Sequence, residues 1–148
     1  MKSQRKVAIL IADGVTAADV TRMAASLKKG GATAEIIAPH LGELKGTSGD
    51  MKADKTLATV ASVMYDAVYV PGGKQNISML LGDYEARHFV REAYNHGKAI
   101  AASGEGRELL SAAGISEAPG VVNEKKESDV GPAFIEAISR HRHWNRPK

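Results

Sequence analysis

The chain has no cysteine. That single absence excludes a thiolate nucleophile, a thiolate metal site and a disulfide framework. Long apolar runs are missing too. Behind the basic opening Met1-Lys-Ser-Gln-Arg-Lys6 only Val7 to Ala12 is continuously apolar, too short for a signal-peptide core or a membrane-spanning helix. The chain is therefore expected to be cytoplasmic and without a membrane partner. Charge of one sign is not in large excess: the formal net charge is +3, too little to demand a polyanion, so no nucleic acid is expected. What is present is an ordinary soluble composition, 43% hydrophobic and 25% charged over 148 residues. A chain of that size buries roughly 68–70% of its unfolded surface, enough for one core.

The pattern alternates strand and helix. Val7-Ala-Ile-Leu-Ile-Ala12 before Asp13-Gly14 reads as a strand buried on both faces. Thr16 and Asp19 have the spacing of a capping box, and Val20, Met23, Ala24 and Leu27 follow at helical intervals up to Gly30-Gly31. Thr33 to Ala38 is a second strand, and the mixed stretch 42–57 reads as a hairpin excursion. Ala67 to Pro71 is a third strand, followed by a helix with Ala86, Phe89, Val90 and Ala93 on one face. Lys98 to Ser103 is a fourth strand, turned by Gly104-Glu-Gly106 into a helix with Leu109, Leu110 and Ala113. Val121-Val122 reads as a fifth strand and Asn123 to Asp129 as a charged loop. Pro132 reads as the start of a last helix carrying Phe134, Ile135 and Ile138. This rhythm predicts one α/β domain over 1–148: a three-layer sandwich, mostly parallel, with helices on both faces and loose ends at 1–5 and 145–148. The functional crevice of such a sheet lies at the carboxyl ends of its strands, which directs attention to 13–19, 72–76 and 103–107.

Ala102-Ser-Gly-Glu-Gly106 has the frame of a nucleophile elbow, with small residues two before and two after the centre. The central residue is Gly104, which has no side chain to react. Here the chain resembles the PfpI-like members of the class I glutamine amidotransferase-like superfamily, which are flavodoxin-like in fold. Lys98 to Leu110 matches their elbow without gaps. The resemblance sets Gly104 on the family's cysteine, Glu105 on the histidine after it and Arg107 on its proline, so Ser103, Gly104 and Glu105 form a vestigial elbow. It also makes Asp19 the vestigial counterpart of an acid that hydrogen-bonds the cysteine, although the residues alone favour Asp19 as the cap's acid. Val70-Pro-Gly-Gly73 matches the stretch whose amides stabilise an oxyanion in the family; without a nucleophile its role is structural. Ser103 points to the opposite face from the elbow centre and reads as a small residue filling space.

No other site chemistry is expected. Gly104-Glu-Gly106 is half a dinucleotide fingerprint with Leu109 where a third glycine belongs, and Glu105 would repel a phosphate and complete the helix amides itself. Gly73-Lys74 lacks the rest of a phosphate loop. His40, His88, His96, His141 and His143 have no metal-ligand spacing, so neither metal nor cofactor is expected in the chain. The tail Arg140-His-Arg-His-Trp144 suits docking on an acidic partner surface.

Over its whole length the chain is similar to the C-terminal domain of large-subunit haem catalases. The landmarks are Lys6 to Gly14, Ala38-Pro-His-Leu-Gly42, Phe89 to Tyr94, Gly104-Glu-Gly106 and Phe134-Ile to Trp144. The resemblance implies a non-enzymatic appendage whose parent decomposes hydrogen peroxide under oxidative stress with haem, which this chain itself does not bind. It implies as partners the parent's catalase core and tetramer, and unfolded client proteins held in chaperone fashion. Two further readings stand beside it: a freestanding PfpI-like hydrolase or deglycase, and a small-ligand binding module.

Overall fold

The computed structural model describes residues 5–40, 42–46, 49–60, 62–115, 118, 120–124 and 127–140. Six strands form a single parallel sheet: β1 (Arg5–Leu10), β2 (Ala32–Ala38), β5 (Lys55–Thr56), β6 (Ala67–Val70), β7 (Ala99–Ser103) and β8 (Val121–Glu124), in the spatial order β5-β2-β1-β6-β7-β8. With the short edge strand β5 set aside, the order is the 2-1-3-4-5 of the flavodoxin-like sandwich, whose switch point falls between β1 and β6. The expected excursion is a separate antiparallel hairpin, β3 (Gly42–Leu44) with β4 (Met51–Ala53).

The two-residue period of the strands builds two cores. On one face Ala8, Leu10, Val68, Val70, Ile100 and Ala102 pack under three helices, α2 (Lys74–Leu81), α3 (Tyr84–Asn95) and α4 (Gly106–Ala112). On the other, Val7, Ile9, Tyr69, Ala99 and Ala101 pack under α1 (Ala17–Lys29) and α5 (Glu127–Ser139). The parity fixes a later point: Ser103 shares its face with Ala99 and Ala101 and so turns toward α1.

Several local expectations are corrected. Helix α2 is absent from the sequence reading; it has eight residues and starts from Gly73 without a side-chain cap. Strand β8 runs on through Asn123 and Glu124, which pair with Ala102 and Ser103, so the predicted charged loop is shorter. Helix α5 begins at Glu127, five residues before Pro132, and carries that proline inside it at the loss of one main-chain bond. Arg5, placed in a loose end, pairs with Ala32 in β1. The remaining ends expected to be loose, and His141, His143 and Trp144, lie outside the described residues.

Candidate functional site

The three crevice loops meet at the carboxyl ends of β1, β6 and β7, and a buried side chain fastens two of them. Asn76, 0% exposed, accepts the Ala12 N–H on its Oδ1 at 2.5 Å and donates from Nδ2 to the carbonyls of Pro71 and Gly72, both at 3.3 Å. Thr16 N–H donates to the Gly72 carbonyl at 3.0 Å. Gly73 sits at φ +118°, and a Cβ there would come within 2.4 Å of the Gly14 carbonyl oxygen, so only glycine allows this approach. Asn76 closed one of the three predicted segments, yet nothing local marks it as a clasp, because the loop it fastens to its own, at Ala12, is 64 residues away in the chain.

The elbow keeps its backbone. Gly104 adopts φ +52°, and a Cβ there would meet only the Gly72 α-carbon at 3.7 Å. Gly106 is required by packing, since a Cβ on it would lie 2.2 Å from the Val70 carbonyl oxygen, where α4 crosses the end of β6. Arg107, in the position of the family's proline, folds back so that its Nε donates to the Gly104 carbonyl at 3.1 Å.

Asp19 does not complete a capping box. Thr16 is the N-cap of α1 but its side chain makes no capping bond. The Asp19 carboxylate instead turns into the crevice, where Oδ2 accepts the Gly72 N–H at 3.0 Å and the Ser103 hydroxyl at 3.3 Å. Burying a cap acid's oxygen against a second main-chain donor and a hydroxyl satisfies two inward groups, whereas the helix end can be satisfied by solvent.

Ser103 is more than a space filler. It is 1% exposed, and its Oγ lies 2.6 Å from the Tyr69 hydroxyl. Ser103 gives its one proton to Asp19, so Tyr69 is the donor in that contact. The result is a directed chain, Tyr69 to Ser103 to Asp19, whose carboxylate also accepts the Gly72 N–H. Buried and engaged on both sides, this hydroxyl is not presented to a substrate in the crevice.

Glu105 was expected to complete the amides at the start of α4. It is the N-cap of α4 but makes no side-chain cap there. Its Oε1 reaches across to accept the Gly73 N–H at 2.9 Å, at the N-cap of α2. That bond, with its own main-chain N–H and nearby Lys74, holds the Glu105 carboxyl below the usual carboxylate range against a smaller opposing effect of burial. Gly72 thus lies between two carboxylates: a Cβ on it would stand 3.0 Å from Glu105 Oε1 and 3.1 Å from Asp19 Oδ2. The Gly72 and Gly73 amides, the pair that would serve an oxyanion, are each occupied by an acid of the chain.

The model for the C-terminal domain found in long catalases matches residues 3–148. The chain belongs to that family. It is 43% identical to Catalase-2 of Bacillus subtilis (strain 168), over 97% of this chain and 21% of that protein. It is 38% identical to Catalase HPII of Pseudomonas aeruginosa, over 96% of this chain and 20% of that protein. The chain therefore spans about a fifth of these long catalases. The ThiJ/PfpI domain protein from Brachyspira murdochii superposes with a TM-score of 0.83 at 13% identity, covering 94% of this chain and 99% of the other, a likeness of fold. The catalase C-terminal domain described here thus combines the PfpI-like sandwich with a crevice whose donors are taken from within. Among the described residues no group of three or more metal-ligating side chains is assembled, and no helix is long and apolar enough to cross a membrane.

Proposed function

We propose that this chain is a catalytically silent C-terminal domain of a large-subunit catalase. It serves the stability and assembly of a parent that removes hydrogen peroxide, and it holds unfolded proteins in chaperone fashion. The observation that carries the silent part is the double occupancy of the crevice: Asp19 on the Gly72 amide and Glu105 on the Gly73 amide, beside a Gly104 with nothing to attack with. An enzyme of this fold needs those donors pointed at developing negative charge. Here they face charge that is already present.

The family membership supports the catalase core as the partner of this domain; the parent's tetramer and a cytoplasmic location belong to the same proposal. We assign the parent's haem, and with it the peroxide chemistry, to the rest of that protein: of the side chains able to serve a haem iron, the phenols of Tyr65 and Tyr69 are engaged, Tyr65 on Glu35 at 2.7 Å and Tyr69 on Ser103. The occupied amides also count against a freestanding hydrolase or deglycase.

The test is aggregation of a heat-denatured client enzyme, followed by light scattering with and without the purified chain. Suppression at near-stoichiometric ratio is expected, and unchanged scattering would sink the chaperone role. The silent reading is tested separately. Turnover of ester, peptide or glycated substrates that disappears in Ser103→Ala would overturn it.

A further inference from the structure

A second concavity lies away from the crevice, between α3 and the segment 57–62. It encloses about 270 Å³. Its apolar wall is made of Leu57, Val60 and Phe89. Phe89 is fixed from behind by Tyr65, whose ring centroid is 5.9 Å from its own. This volume approaches the lower end of the range of about 300–1,000 Å³ typical of small-molecule sites.

The polar side of the cavity comes from one stripe of α3. Glu85, His88, Phe89, Glu92 and His96 recur at intervals of three and four and face the same space. Both imidazoles are held: His88 stacks on Tyr84 at 5.6 Å, and His96 Nδ1 lies 2.8 Å from the Glu92 carbonyl oxygen. Among the described residues neither Glu85 nor Glu92 makes a salt bridge. The buried cation on this side, Lys98, is committed to the Ser62 carbonyl at 2.5 Å. The cavity therefore offers two carboxylates without a salt-bridge partner above a hydrocarbon wall. Charge complementarity selects a cation, and the wall selects one with an apolar body. A bare metal ion is not favoured, because these side chains do not gather into a ligand set.

We propose that the cavity between α3 and the segment 57–62 binds a small primary amine. The ammonium rests on Glu92, with Glu85 two turns away adding to the negative field, and the hydrocarbon lies against Leu57, Val60 and Phe89. Arylalkyl amines pair a cation with an apolar body of this kind.

Phenethylammonium is the probe, titrated into the isotopically labelled chain and followed by amide chemical shifts. Its counter-probe is phenylacetate, which has a similar body and the opposite charge. Saturable shifts confined to 57–62 and 85–96, with none from phenylacetate, are expected. Glu92→Gln should weaken binding about threefold to fivefold, the size of a partly exposed ion pair. Val60→Trp should abolish it by filling the wall. Because Glu92 is only partly buried, Glu92→Gln keeps the test open if Val60→Trp does not fold. Equal binding of phenylacetate, shifts that do not saturate, or an affinity unchanged by Glu92→Gln would each overturn the assignment.

Discussion

Gly73 donates its main-chain N–H to the Glu105 carboxylate at 2.9 Å, across the gap between the second and third crevice loops. The bond ties the start of α2 to the start of α4, and its strength depends on the charge of Glu105. Because the carboxyl is held below its usual range, the folded state binds this proton less readily than the unfolded state. The contribution to stability is therefore complete above the unfolded carboxylate range, near pH 4.5, and is lost as pH falls through the depressed value. Denaturant midpoints measured down the acid limb should fall less steeply in Glu105→Gln than in the parent chain. At neutral pH the substitution should cost about 0.5–1 kcal/mol, a value kept small by the exposure of Glu105.

Tyr69, Ser103 and Asp19 should behave as one unit. Tyr69→Phe removes a buried donor and Ser103→Ala its acceptor, each at about 1–1.5 kcal/mol. Once one is gone the other no longer has this contact to lose. The double variant should therefore be less destabilised than the sum of the two by about 1 kcal/mol in a denaturation cycle. Additive losses would show that the 2.6 Å contact carries no coupling.

Two glycines of the same turn should respond to different degrees. Gly104 needs only a left-handed backbone and has room for a Cβ, so Gly104→Ala should cost about 1–2 kcal/mol. Gly106 faces a main-chain oxygen at 2.2 Å from an added Cβ. Gly106→Ala should cost about 3 kcal/mol or fail to fold. Gly104→Cys should fold and remain inactive on ester and glycated substrates, because the Gly72 and Gly73 donors stay occupied.

At the other end of the sheet, Tyr65 donates to Glu35 at 2.7 Å, and Lys55 and Lys6 lie 3.3 and 3.6 Å from the same carboxylate. Burial pushes the Tyr65 phenol far above its ordinary range, with the Glu35 hydrogen bond acting in the same direction. A raised value means that stability is complete below the unfolded phenol range, near pH 10, and declines as pH rises beyond it. Tyr65→Phe should flatten that alkaline decline in thermal melts.

The fold was legible because strands β1, β6 and β7 are buried on both faces and write continuous apolar runs, while Gly30, Gly97 and Gly114 stop helices. The three crevice loops followed from that order alone. Polar or very short elements were not legible. Strand β8 spends two of its four residues on Asn123 and Glu124, which an edge position tolerates, and α2 lacks a capping side chain to announce it. The site itself was only half visible. Thr16 and Asp19 have the spacing of a cap, and what turns Asp19 away is a hydrogen bond to Gly72, 53 residues distant. Glu105 sits at the start of α4, but its oxygen serves α2.

The paired occupancy of the Gly72 and Gly73 amides also sets the course open to descendants of this chain. A thiol gained at position 104 would meet no vacant donors, and donors freed at position 19 or 105 would serve no thiol. On the silent reading proposed above, either change alone would leave the crevice without chemistry, and freeing the donors would also loosen the turn. A working thiol site here would therefore call for several coordinated changes at once.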